Sequence, residues 1–382
     1  MALPAAPSEL RVPEYFSPST LGSTDPCGLK VLATAQENRD SFEPLPLNPS
    51  AVIGTLVHHG LELFSSGELA DPLGWLDDKL DEPTNLAAPY RCLRDAVPER
   101  KVQSAREMFD RRAGSPSRGR WPEAAEGIAT YRPGSRIFGS EVWLSSPALR
   151  LKGKADFIGR TADGIIEIVD FKTGGVSGPN GEIKDEYALQ LQAYALMLRE
   201  RIETTPLRLV LDNGERTPVP SDDRSLNLAR EQIERFTSRF PKSSTVRPDQ
   251  SAHPGRECAS CGIRPSCGAY MDAAPVWWVD VPTEVGFEPL DIWGEITRVV
   301  VGEMSLTIHL KDRAGRSVKI DRLGKGHGVS VNAAGEEIWL FNLCADNRRR
   351  GFSGQRPHPR LFHELPGIDG GGRRAWDIAV FT

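Results

Sequence analysis

Residues 153–175 read "GKADFIGRTADGIIEIVDFKTGG". Apolar and polar residues alternate on both sides of a Thr-Ala-Asp-Gly segment, which predicts an antiparallel hairpin of Leu151–Gly159 and Ile165–Lys172. A turn centred near Asp163 sets Asp156 opposite Asp170, with their Cβ atoms about 5 Å apart on one face. Lys172 lies two residues beyond Asp170 and so projects from that same face. Two opposed carboxylates destabilise a sheet. A divalent cation between them reverses the sign, and carboxylate and water ligands suit Mg²⁺ or Mn²⁺.

The whole chain has 382 residues, 39% of them hydrophobic and 26% charged, which is ordinary globular material for one large domain or two smaller ones. No apolar run approaches the 18 or so residues of a membrane span. The opening "MALPAAPSEL" lacks a basic stretch followed by an apolar one, so a cytoplasmic chain without membrane contact is expected. The formal net charge of -5 gives no global attraction to nucleic acid. Binding would need local patches such as Arg111-Arg112, Arg118 with Arg120, or Arg348-Arg349-Arg350, each of which could equally be a solvated loop.

Two helices flank the hairpin in sequence. "SAVIGTLVHHGLELFSSG" starts at Ser50, a candidate cap, and stops at Gly67. The three-and-four rule puts Gly54, His58 and Leu61-Glu62 on one face of it. "EIKDEYALQLQAYALMLRER" is rich in good helix formers and sets Gln190 and Tyr194 one turn apart. After about Val276 the pattern changes to short alternating strands divided by Gly-containing turns, which predicts a small all-β barrel or sandwich.

The order G-x-x-x-H-x-x-L-E, G-x-x-D-x-I, D-x-K-T-G and Q-x-x-x-Y resembles the RecB-like branch of the PD-(D/E)XK nucleases. It is carried by Gly54-His58-Leu61-Glu62, Gly153-Asp156-Ile158, Asp170-Lys172-Thr173-Gly174 and Gln190-Tyr194. The resemblance implies an α/β restriction-endonuclease-like core, a mixed central sheet flanked by helices, over residues 1–275. An OB-like barrel would follow over 276–382, binding nucleic acid or a partner. The resemblance also implies that His58, Asp156, Asp170 and the Phe171 carbonyl hold Mg²⁺ or Mn²⁺. Lys172 would position or activate the attacking water, and Gln190 and Tyr194 would line the DNA side.

Of six cysteines, Cys258, Cys261 and Cys267 stand as C-x2-C-x5-C, with Cys27 far upstream. Such clustering suggests metal ligation, and the spacing alone leaves Zn²⁺ and iron–sulfur both open. The triplet resembles the cluster-binding segment of AddB-type nucleases, in which a fourth, N-terminal cysteine completes a 4Fe-4S cluster. Cys27 occupies that place, and ligation would close a very long loop.

The expected function is metal-dependent hydrolysis of DNA phosphodiester bonds, as a single-strand-directed exonuclease in repair, recombination or defence against foreign DNA. No phosphate-binding G-x-x-x-x-G-K-[ST] loop occurs, so a helicase motor would be a separate subunit. Two alternatives stand beside it: a non-catalytic DNA-binding scaffold subunit, and an RNA-directed nuclease. In the C-terminal region Trp277, Trp278, Trp293, Trp339 and Phe352 are candidates for base stacking.

Overall fold

The computed structural model describes residues 3–22, 26–42, 45, 49–82, 92–97, 99–114, 138–161, 163–178, 180–202, 206–255, 258, 261–273, 290–303, 305–312, 315, 317–324, 329–345, 361–364 and 379–381. The helices are α1 (Gly28–Thr34), α2 (Pro49–Ser66), α3 (Pro72–Asp81), α4 (Leu93–Ala96), α5 (Glu99–Gly114), α6 (Asp185–Arg199), α7 (Asp223–Ser238) and α8 (Pro248–Ser251). The strands of the first part are β1 (Leu10–Arg11), β2 (Gly139–Ser146), β3 (Leu151–Arg160), β4 (Ile166–Phe171), β5 (Leu207–Asp212), β6 (Arg216–Val219) and β7 (Thr245–Val246). Those of the second are β8 (Leu290–Val301), β9 (Ser305–Asp312), β10 (Ser317–Gly324), β11 (Glu337–Ala345), β12 (Leu361–Glu364) and β13 (Ala379–Phe381).

Local sequence accounts for several boundaries. Pro49 opens α2, so Ser50 falls inside the first turn rather than capping it. Gly67 ends that helix at φ +79, a conformation glycine takes without strain. The helical stretch around Pro98 is split into α4 and α5. Asp222 caps α7 by accepting from Ser225 N at 3.0 Å.

The central sheet runs β2-β3-β4-β5-β6. Only β4 and β5 are parallel, joined by a crossover through α6, so the sheet is mixed. Helices α2, α3 and α5 cover one side, with Ile53, Val57, Leu76 and Phe109 packed on Phe157, Val169, Phe171 and Val210. Helices α6 and α7 cover the other, with Leu191, Met197 and Ile233 packed on Ile158, Ile168, Leu209 and Leu211.

The N-terminal segment is bound to the far end of this unit. β1 pairs with β7, Leu10 opposite Val246. Buried Arg150 donates to Pro13 O at 3.0 Å and Thr237 O at 3.1 Å, and also to Phe240 O. The segment that carries Cys27 is thus held close to the one that leads to Cys258.

The C-terminal strands form a second sheet of order β12-β10-β9-β8-β11-β13. β12 runs parallel to β10 and also pairs antiparallel with β11. The expected boundary at 275/276 lies outside the described residues, as do Trp277, Trp278, Arg118, Arg120, Arg348-Arg349-Arg350 and Phe352. Arg111 and Arg112 fall in the last turns of α5. Trp293 is fully buried in the second core, which corrects the expectation that it could stack on a base.

Candidate active site

Pairing between β3 and β4 follows the expected register, from Arg160 with Ile166 to Phe157 with Val169. It stops one pair short of Asp156 and Asp170. There Asp156 Oδ2 accepts from the backbone N–H of Phe171 at 2.7 Å, which holds its carboxylate beside β4. Beyond Phe171 the chain stays on β5, because Lys172 N donates to Asp212 O at 3.0 Å. The two acids and the lysine therefore stand on a backbone fixed from both sides.

From α2, His58 Nδ1 lies 3.4 Å from Asp156 Oδ2, and its ring meets the Phe171 ring edge-on at 6.4 Å. Gly54, one turn earlier, explains the close approach. A Cβ there would lie 3.3 Å from Thr173 Oγ1, so the glycine lets α2 pack against the segment just after Lys172. Leu61 anchors α2 in the core, while Glu62 lies at the surface, 3.6 Å from His59 Nδ1.

Lys172 Nζ is held at 2.7 Å from Asp170 Oδ2 and donates to Gln190 Oε1 at 3.0 Å. It also sits over the ring of Tyr187, 4.6 Å from the centroid. Sequence reading missed Tyr187. Taking α6 at i and i+3 as well as i+4 would have found it, since Tyr187, Gln190 and Tyr194 lie on one helical stripe.

Tyr194 is buried, and its hydroxyl donates to Lys154 O at 2.7 Å. Gly153 makes room for it, because a Cβ there would lie 3.3 Å from the hydroxyl and 2.6 Å from Pro18. The tyrosine thus braces β3 through the Lys154 carbonyl.

The electrostatics are those of acids crowded into a dry place. Burial, then the nearby Asp156 charge, pushes the Asp170 carboxyl up to about 6, against the pull of Lys172. Burial opposes charge on His58, but Asp156 and Asp170 together outweigh it and raise the imidazole above its ordinary value. Burial and the same two acids raise Tyr194. Apart from the Lys172 ion pair, Asp170 Oδ2 has no hydrogen-bond partner among the described residues. A buried oxygen with spare acceptor capacity, a second carboxylate and an imidazole make a donor set suited to a hard divalent cation. As they stand, no group of three or more His, Cys, Asp or Glu among the described residues is drawn together for a metal ion.

Cys27, Cys258, Cys261 and Cys267 line one cavity, with Lys30 and Arg264 in its wall. Three sulfurs accept backbone N–H groups, Cys27 from His253 at 3.4 Å, Cys258 from Gly255 at 3.5 Å and Cys267 from Tyr270 at 3.4 Å. Burial raises the thiols of Cys258 and Cys261, and that of Cys267 to about 11. Cys92 precedes α4 and Cys344 lies in β11.

An α/β unit with paired acids and a lysine at the open end of its central hairpin defines a class of phosphodiester-cutting proteins. The chain belongs to the PD-(D/E)XK nuclease superfamily, whose profile matches residues 15–268. Within that span the chain reads Ala155-Asp156 and Asp170-Phe171-Lys172, a sequence compatible with those letters apart from Ala155 where they have proline. One solved structure, a candidate exonuclease from Eubacterium rectale, is similar at 14% identity over 59% of this chain and 79% of that chain, with a TM-score of 0.36. No curated protein matches the chain. Among the described residues no helix is long and apolar enough to cross a membrane.

Proposed function

We propose that this nuclease hydrolyses DNA with the help of Mg²⁺ or Mn²⁺, acts on single strands from an end, and carries a structural 4Fe-4S cluster. The observation that carries the reading is the grouping of Asp156, Asp170, Lys172 and His58 at the open end of one hairpin. Asp156, Asp170, His58 and the Phe171 carbonyl would hold the cation, which when bound would lower the pKa of a water and offset charge on the phosphate. Lys172, fixed by Gln190 and Tyr187, places a positive charge where charge develops on the scissile group. Tyr194 and the Phe171 N–H keep Asp156 and its strand in place.

Four thiols around one cavity, with N–H groups directed at three sulfurs, suit cluster ligation in donor chemistry. The second sheet supports an OB-like reading. Antiparallel β8-β9-β10 and β8-β11 are bridged by β12, which pairs with both β10 and β11, while β13 continues the sheet beyond β11. That connectivity suits a five-stranded barrel of the kind that binds single strands.

The test is anaerobic purification, iron and sulfide assay, and digestion of end-labelled single-stranded DNA, duplex DNA and RNA with Mg²⁺, Mn²⁺ or chelator. The expected result is a brown protein with about four irons per chain. It releases mononucleotides or short products from single-stranded DNA only when the metal is present. Hydrolysis that persists in chelator, or that is confined to RNA, overturns the substrate and metal assignment. Zinc in place of iron overturns the cluster.

A further inference from the structure

We infer that Trp143 and Lys152 form a stacking subsite for single-stranded nucleic acid at the exposed edge of the central sheet, feeding the strand toward Asp156. The inference rests on the nuclease reading and adds a binding place to it. Trp143 lies on edge strand β2 between buried Val142 and Leu144, and it is 59% exposed, the most exposed large hydrophobic side chain among the described residues. Lys152 Nζ stands 5.7 Å from its ring centroid. Among the described residues no carboxylate pairs with Lys152, whereas Lys154, directly opposite Trp143, is tied to Glu141. A solvent-exposed indole beside a spare cation is what a base and its phosphate require.

The place of the pair in the fold names the occupant. Lys152, Lys154 and Asp156 alternate along β3 with buried Leu151, Gly153 and Ala155, so one face leads from Trp143 to the candidate metal site. Four residues of strand span about 13 Å, the reach of a few nucleotides. A peptide strand adding to the β2 edge is disfavoured, because Arg201 already donates to Trp143 O at 3.0 Å and to Ser145 Oγ at 3.3 Å. A duplex is disfavoured because its base faces are already stacked on one another, while a single strand offers a free π-face.

The experiment measures binding of fluorescein-labelled oligo-dT by the full-length protein in chelator, and steady-state cleavage of the same oligonucleotide in Mg²⁺. Trp143→Ala is expected to weaken binding and raise KM about tenfold or more with kcat near the wild-type value, and Trp143→Phe to restore most of the loss. Lys152→Ala is expected to reduce the slope of log K against log salt by about 0.7. Thermal melting of each variant confirms the fold, which an exposed side chain leaves intact. Wild-type affinity in Trp143→Ala, a Phe variant as weak as the Ala variant, or equal competition by duplex DNA overturns the subsite. Failure of the nuclease reading looks different, since the wild-type protein would then not cut the oligonucleotide at all.

Discussion

The carboxylate site and the cysteine cavity solve the same problem in opposite ways. Each gathers groups that repel once ionised, and in each burial raises the pKa values, of Asp170 in one and of Cys258, Cys261 and Cys267 in the other. The carboxylate site draws its acids from neighbouring strands of one hairpin, where Asp156 reaches a backbone N–H only 15 residues on. The cysteine cavity brings Cys27 to the backbone of His253, 226 residues away. A site of the first kind can be rigid while the rest of the chain moves. A site of the second kind exists only when the chain ends are already together.

The cavity is also the seam between the two sheets. Arg264, almost fully buried, donates to Cys258 O at 3.1 Å and Cys261 O at 2.7 Å, and it grips Asp291 of β8 at 2.6 and 3.2 Å. Tyr270 donates to the same carboxylate at 2.6 Å and meets Trp293 edge-on. Burial opposes the Arg264 charge, but Asp291 outweighs it and the guanidinium pKa is raised. The cysteine loop is therefore fixed as much by the second sheet as by the first.

The two sites should differ most in what their loss does to activity. Asp170→Ala and Lys172→Ala should each reduce hydrolysis by about 10³-fold or more while iron content stays at the wild-type level. If the proposed cluster is bound, Cys261→Ser should do the reverse, removing the iron before it disturbs the active-site geometry. Single-turnover cleavage alongside an iron assay reads both, and a variant of Lys172 that cuts normally would sink the catalytic half.

Next in size is the seam. Asp291→Ala leaves Arg264 buried without its carboxylate, which should cost about 3–5 kcal/mol. Urea unfolding would show it, with iron lost at a lower denaturant concentration than in the wild type. A cost below about 1 kcal/mol would mean that the two sheets are joined by something else.

How much of this was readable beforehand follows from how local each feature is. The hairpin register was legible because period-two alternation and a Thr-Ala-Asp-Gly turn fix it within twenty residues. Gly67 as a stop and Pro98 as a break were legible for the same reason. Arg264 with Asp291 was not, since nothing in an arginine among cysteines announces a carboxylate on a strand 27 residues on. The strands after Val276 were visible as short alternating runs. The double pairing of β12 was not, because which strands a short segment meets depends on the curvature of the sheet rather than on pattern. Tyr194 was found by its motif, but its direction, toward the backbone of Lys154, is a matter of packing.

A smaller effect separates the two sites by pH. The Asp170 carboxyl lies near 6 in the folded, metal-free chain and at its ordinary 3.8 when unfolded, so the folded state holds the proton more tightly. That contribution to stability is complete below about pH 4 and is lost as pH rises through about 6. Asp170→Asn removes the titration, so its metal-free melting temperature should match the wild type near pH 4 and exceed it by about 5 °C at pH 7. A constant difference across that window would remove Asp170 as the cause.

The smallest expected effect concerns Gly54, and Gly60 on the same helix calibrates it. A Cβ at Gly60 would lie 2.6 Å from the Trp75 ring and 2.7 Å from Phe109, inside the core, so Gly60→Ala should destabilise by about 1–3 kcal/mol. At Gly54 the nearest neighbour is Thr173 Oγ1 at 3.3 Å, and alanine gains about 0.5–1 kcal/mol of helix propensity. Gly54→Ala should therefore leave the melting temperature nearly unchanged. Its cost should appear in turnover if Thr173, the residue after Lys172, gives way through its backbone rather than by turning its side chain. A few-fold fall in kcat with unchanged stability and unchanged iron would place Gly54 in the carboxylate site as a spacer. Wild-type kcat would reduce it to an ordinary helix glycine.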